Sequence, residues 1–302
     1  MCIRDRAYQG HWDEAIAAAQ KQVELLPDEP NPYDTLGEIL LAAGRLDDAQ
    51  AAFEKAVAKS PKFQLALVGV AEAQMYKAEW KAAYATLKRA HDAAPRPEDA
   101  FGVGATEMWA LAGQGKLAQA LKVGEAVDRA AEAQKRDVPH VFSALNRGLL
   151  LAISGKTADA LKLVDTGYAR AKKLELAAPL RRNVTLIGEQ ARLVAATKAK
   201  KPADAEKAYA ALEAAAKTQV LSRGDQSLLD WAQGMVAWSK GDAKAAVESM
   251  KKCSQLDYTC RFMMVSAQRA AGDRAGAGET LTQLKASPRR ANDYVYFWSA
   301  AK

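Results

Sequence analysis

The sequence predicts an all-α fold: a right-handed superhelical solenoid of about eight antiparallel helix hairpins. Three observations lead there. Pro27, Pro61 and Pro95 stand 34 residues apart, each closing a stretch of helix-forming sequence. A turn residue, usually glycine, recurs with a small alanine five positions later. No stretch alternates in the way a half-buried strand requires.

The turn and alanine pairs mark the elements in order: Gly10/Ala15, Gly44/Ala49, Ala78/Ala83, Gly115/Ala120, Gly155/Ala160, Lys200/Ala205, Gly241/Ala246 and Gly272/Ala277. Glycine enters left-handed backbone without a Cβ clash, and alanine lets two helices cross closely. The alanines are spaced by 34, 34, 37, 40, 45, 41 and 31 residues, so the early units are even and the middle ones longer. That extra length goes into longer helices or loops. Pro139, Pro179 and Pro202 place helix starts, because proline fits a first turn whose amide lacks a partner. Val184 to Thr197 and Ala203 to Lys217 contain no internal proline and read as uninterrupted helices. The aromatic tail within residues 290–301 reads as a final capping helix over the end of the array.

Composition sets the class. Of 302 residues 49% are hydrophobic, yet charge interrupts them everywhere and no apolar run approaches the roughly 18 residues of a membrane span. The opening Met1-Cys2-Ile3-Arg4-Asp5-Arg6 resembles a translated sequencing-adapter end. The expectation is therefore a bacterial reading frame from a metagenomic fragment, with residues 1–6 artefactual or disordered and 7–302 forming one repeat domain. Localisation, cytoplasmic or periplasmic, stays open.

Between Pro27 and Pro61, the residues Tyr33, Leu36, Gly37, Leu40, Ala49, Phe53 and Ala56 resemble the tetratricopeptide repeat (TPR) signature in type and spacing. The resemblance is strongest over residues 8–95. From residue 100 it thins to the turn and the alanine, with Gly148 and Gly234 matching the family's first-helix glycine. It implies a scaffold that binds a peptide or helix of another protein in a concave groove lined by the first helix of each hairpin. Members that bind chaperone tails hold a carboxylate there with lysine and asparagine. This chain has Asp34 and Glu38, then Val68 and Glu72, at the corresponding positions, and acidic side chains repel a carboxylate.

Inward positions further along carry large apolar residues: Trp109, Phe142 with Leu145, Trp231, Met235 and Trp238 on one helical face, and Phe262. They read either as core between long helices or as partner-binding anchors, each worth roughly 2 kcal/mol or more when truncated. Charge is uneven as well: residues 1–150 hold 18 Lys+Arg against 21 Asp+Glu, and residues 151–302 hold 25 against 15. The basic clusters Arg170/Lys172/Lys173, Arg181/Arg182, Lys198/Lys200/Lys201, Lys251/Lys252 and Arg289/Arg290 fall mostly near expected helix ends, where they complement the helix dipole or attract an acidic partner. No nucleic-acid motif accompanies them, which argues against a nucleic-acid partner.

Cys253 and Cys260 flank one inter-helix turn, and a disulfide closing that loop would contribute about 2.5 kcal/mol. Cys253, however, falls where the family resemblance implies a small buried side chain. Two free thiols are therefore the expectation. Catalytic signals are weak: His11, His91 and His140 are scattered, no metal-ligand spacing occurs, and Gly102-x-Gly104 lacks a third glycine and a preceding strand. No cofactor, metal or small-molecule substrate is implied, and no enzyme is expected. Two further roles compete with the scaffold: a C-terminal sensor or docking region of a larger enzyme or transcription regulator, and a cell-envelope or secretion-assembly protein.

Overall fold

A computed structural model describes residues 11–94, 96–254 and 257–286. The adapter-like start, Gly10, Pro95, Arg289/Arg290 and the expected capping helix lie outside the described residues.

The described residues form fifteen helices and no strand: α1 (Trp12–Leu25), α2 (Pro30–Ala42), α3 (Leu46–Lys59), α4 (Gln64–Tyr76), α5 (Trp80–Asp92), α6 (Pro97–Gly113), α7 (Leu117–Ala133), α8 (Asp137–Ile153), α9 (Thr157–Ala171), α10 (Ala178–Lys198), α11 (Pro202–Ala216), α12 (Arg223–Ser239), α13 (Ala243–Met250), α14 (Tyr258–Ala270) and α15 (Arg274–Ala286). After α1 they are successive hairpins of a helical-repeat solenoid. The described residues divide into two compact units, residues 11–120 with 283–286, and residues 121–282.

One local device builds every hairpin from α2/α3 onward. The two helices are joined by three residues, and the middle one has positive φ: Gly44 (78°), Ala78 (63°), Gly115 (76°), Gly155 (82°), Lys200 (54°), Gly241 (87°) and Gly272 (83°). The next residue donates its amide five positions back, as Arg45 does to the Leu40 carbonyl at 2.9 Å and Lys201 to that of Ala196 at 2.9 Å. That bond closes a Schellman cap on the outgoing helix. The carbonyl of the same residue then opens the incoming helix by accepting from the alanine four positions on, as in Ala49 to Arg45 (2.9 Å) and Ala205 to Lys201 (3.1 Å). Cap and start thus share one residue. Ala15, Ala49, Ala83, Ala120, Ala160, Ala205, Ala246 and Ala277 are all buried at the crossings.

In the first unit the helices are short, 13 or 14 residues from α1 to α5. Phe53 of α3 is wedged between α2 and α4. A Cβ on Gly37 would lie 2.6 Å from its ring, and one on Gly69 2.5 Å. Any larger residue at either glycine would collide with the ring. Leu41, Leu67, Met75 and Leu87 complete a close-packed core.

The second unit absorbs the extra repeat length in its helices, with 17 residues in α8 and α12 and 21 in α10, and in the six- or seven-residue links that precede α10, α12 and α14. Pro179 and Pro202 occupy the first turns of α10 and α11. Val141, Leu145, Val164, Leu176, Val184 and Ala191 form a core cluster shared by α8, α9 and α10. Capping is explicit further on: Ser222 and Asp225 form a reciprocal capping box on α12, while Asp242 and Asp257 cap α13 and α14.

Cys253 and Cys260 are joined by a disulfide, their Cα atoms 6.5 Å apart, which corrects the expectation of two free thiols. The physical reason lies in the link. Cys253 is half-buried beyond the end of α13, outside the helix crossing, where its side chain meets Cys260 in the first turn of α14.

Candidate functional site

Half of the six expected anchors belong to the core. Trp109 on α6 is 1% exposed, and Trp231 and Met235 on α12 are 1% exposed each. The correction has a packing cause in α12. That helix is enclosed by α10, α11, α13 and α14. Thr197 of α10 donates to the Met235 carbonyl at 3.1 Å, and Met250 of α13 lies where a Cβ on Gly234 would sit, 2.7 Å away. The long helices that lengthen this unit cover the face that spacing alone presents as open. Phe142 on α8, Trp238 on α12 and Phe262 on α14 remain half-buried. Phe142 also leans on the core cluster of α8, α9 and α10. Leu145 is fully buried.

The same unit brings together charged side chains that are far apart in sequence. Asp128 of α7 accepts from Arg147 of α8 and faces His140 Nε2 at 3.8 Å, while Arg170 of α9 lies 2.8 Å from His140 Nδ1. Arginine only donates, so His140 Nδ1 accepts and the ring proton sits on Nε2, toward Asp128. Asp128 Oδ1 and Arg147 Nε are buried without a hydrogen-bond partner among the described residues. A second network surrounds Tyr168 of α9, whose hydroxyl donates to Glu189 of α10 at 2.8 Å. Arg192 donates to Glu189 (2.9 Å) and Asp165 (2.8 Å) and lies 4.7 Å from the centre of the Tyr168 ring. Burial, reinforced by Glu189, pushes the Tyr168 phenol far above its ordinary value, so it stays a donor.

Two capping carboxylates shift in opposite senses. Burial raises Asp225, but hydrogen bonds from Ser222 and the guanidinium of Arg182 outweigh it and hold the group below the usual range. Burial dominates at Asp257 and pushes it up, despite bonds from the Cys260 amide (2.9 Å) and the Ser227 hydroxyl (2.7 Å). Among the described residues no cluster of His, Cys, Asp and Glu could hold a metal. These groups brace helices.

Sequence reasoning missed both networks. His140 was legible only as a lone histidine, and its neighbours lie 7 to 30 residues away on three helices. The basic clusters were better placed. Arg170/Lys172/Lys173, Lys198/Lys200/Lys201 and Lys251/Lys252 do flank the C-termini of α9, α10 and α13. Arg181 and Arg182 instead lie at the start of α10, where Arg181 donates to the Leu176 carbonyl at 2.9 Å and Arg182 pairs with Asp225.

Residues 40–103 match one family model described as tetratricopeptide repeat, and residues 231–260 match a second with that description. These two stretches carry tetratricopeptide repeats. Such repeats generally serve as protein–protein interaction scaffolds, and the matches support that role in general terms. A tetratricopeptide repeat protein from Parabacteroides merdae shares the fold at 16% identity over 93% of this chain and 95% of its own, with a TM-score of 0.50. The type IV pilus biogenesis factor PilW is similar over 74% of this chain and 91% of its own (20% identity, TM-score 0.44). A human IFIT1 dimer with m7Gppp-AAAA is similar over 90% of this chain and 63% of its own (13% identity, TM-score 0.46). No curated protein matches the sequence. No described helix is long and apolar enough to cross a membrane.

Proposed function

We propose that this repeat scaffold holds a peptide segment of another protein against first-helix side chains of its second unit, with Trp238 as an apolar anchor flanked by Phe142 and Phe262. One observation supports the reading above others: of the three aromatic and methionine residues sharing a face on α12, Trp238 keeps a solvent-facing surface while Trp231 and Met235 are sealed. A large, rigid, half-buried ring loses little conformational entropy on binding and dominates many interfaces. The excess of lysine and arginine after residue 150 favours a partner with acidic flanks, the charges speeding encounter and the apolar contact supplying affinity.

Affinity capture with mass spectrometry names the partner, and titration calorimetry with its bound segment tests the anchor. Trp238→Ala weakens binding by about 2 kcal/mol or more with helical content unchanged. Raising salt slows association more than it speeds dissociation. Unfolding of Trp238→Ala, or unaltered binding, removes the anchor from the reading.

The disulfide favours a second reading, a cell-envelope scaffold, because such bonds persist in oxidising compartments. Fractionation of cells expressing the protein decides it, and recovery in a reducing cytosol overturns it.

A further inference from the structure

The two sulfurs of the Cys253–Cys260 bridge live in different surroundings. Cys253 is half-buried in the link between α13 and α14 and keeps some solvent-facing surface, whereas Cys260 is 0% exposed in the first turn of α14. A bridge serving only as a staple gains nothing from such asymmetry. Thiol–disulfide exchange does, since the attacking thiolate needs access to one sulfur, and the sulfur it can reach decides which one departs. Cys260 departs into a buried helical turn whose amide is already given to Asp257, so access and not thiolate stability sets the direction.

The link is also held independently of the sulfurs. The Ser254 amide donates to the Ser227 hydroxyl at 2.9 Å, that hydroxyl donates to Asp257 at 2.7 Å, and Asp257 accepts from the Cys260 amide at 2.9 Å. The Asp257 amide donates back to the Ser254 carbonyl at 2.9 Å. This polar knot ties the link to α12 and keeps the cysteine backbones in place when the S–S bond is open. The bond can therefore open and re-form without dismantling the hairpins.

We propose that Cys253–Cys260 is a thiol–disulfide exchange site, attacked by a dithiol reductant at Cys253 and released through Cys260. A thiolate of the reductant attacks Cys253 Sγ, the S–S bond breaks, and its electron pair passes to Cys260 Sγ, which takes up the proton that the attacking thiol lost. The second thiol of the reductant then attacks the mixed disulfide and frees Cys253 as a thiol. The reductant ends as its own disulfide, and two electrons and two protons reside on the two cysteines.

The test uses the full chain with glutathione as a trapping thiol and dithiothreitol as the dithiol. Partial reaction with glutathione, quenched by acid and mapped by mass spectrometry, places the adduct on Cys253. Dithiothreitol then opens the bridge without loss of far-ultraviolet helicity and much faster than the chain unfolds globally. With an aromatic disulfide reporter, Cys253 in Cys260→Ser reacts at least about tenfold faster than Cys260 in Cys253→Ser. An adduct on Cys260, equal reporter rates, reduction only at the rate of global unfolding, or two free thiols in the protein isolated without reductant would each overturn the proposal. The glutathione mapping needs no variant, so misfolding of either serine form leaves the decision intact.

Discussion

Phe53 in the first unit and Tyr168 in the second do the same mechanical job with different consequences. Each is an aromatic ring from the second helix of a hairpin pressed on a glycine of the next hairpin's first helix. A Cβ on Gly69 would fall 2.5 Å from the Phe53 ring, and one on Gly188 would fall 2.4 Å from the Tyr168 oxygen. The phenylalanine needs only room. The tyrosine carries a hydroxyl into the same kind of contact and so needs a buried acceptor, which is Glu189. That carboxylate needs a cation, Arg192, and Arg192 reaches out to exposed Asp165. A single oxygen atom has thus drawn three charged residues into place. Long repeats with buried polar ties and short repeats with dry wedges are two solutions to one packing problem.

The contrast breaks most sharply at the wedge itself. Phe53→Ala removes a fully buried ring and costs about 3–5 kcal/mol in chemical denaturation, the largest single loss expected in the first unit. Tyr168→Phe keeps the ring, strips a donor from buried Glu189 and costs about 1–3 kcal/mol. Gly69→Ala and Gly188→Ala each overpack by about 1–3 kcal/mol, and here the two wedges should diverge. Tyr168→Phe removes the nearest atom that the new Cβ meets but leaves the ring carbon Cζ at 2.5 Å, so it rescues Gly188→Ala only in part in a double-mutant cycle. Phe53 offers no such terminal atom, so Gly69→Ala is rescued only by a smaller side chain such as Phe53→Leu. Additive effects at both sites would erase the distinction.

A smaller effect, of opposite sign, follows from the turns. Ala78 and Lys200 sit at φ of 63° and 54° where the other hairpins after α1 have glycine. Ala78→Gly and Lys200→Gly relieve that backbone and raise stability by about 0.5–1 kcal/mol, after allowance for the entropy glycine adds to the unfolded chain. Thermal melts of the single and double variants check this.

The subtlest sharpening is a pH profile. Asp225, held low, stabilises above the ordinary carboxylate pKa, and that contribution fades as pH falls through its lowered value. Asp257, pushed up, behaves in reverse: stability is lost as pH rises from the ordinary value through the raised one. Denaturation midpoints from about pH 4 upward should therefore flatten in Asp257→Asn, which preserves an acceptor for the Cys260 amide. Unchanged curvature would show that burial does not govern Asp257.

Legibility in the sequence followed distance along the chain. The hairpin turns and crossing alanines were readable even where Ala78 and Lys200 replace glycine, because a turn and the alanine five residues on belong to one local hydrogen-bond pattern. Spacing also put Trp231, Met235 and Trp238 on one face. It could not say what covers that face, since the neighbouring helices α10 and α14 come from other hairpins. The ties among Asp128, His140, Arg147 and Arg170 were hidden for the same reason. The disulfide was within reach, but its two sulfurs were judged by helix position when the link between the helices decided the matter.

The three-residue joint inside each hairpin has a consequence for tolerance to insertion. Its middle residue turns the chain and its third both ends one helix and begins the next, so it has no slack, and a single added residue would rotate the second helix out of register by about 100°. The joints between hairpins vary from three to seven residues in the same chain. Grafted peptides, fluorophores or whole domains therefore belong in links such as the one around Val220, which is 94% exposed, and the repeat protein can diverge in length there without disturbing the stacking of any pair.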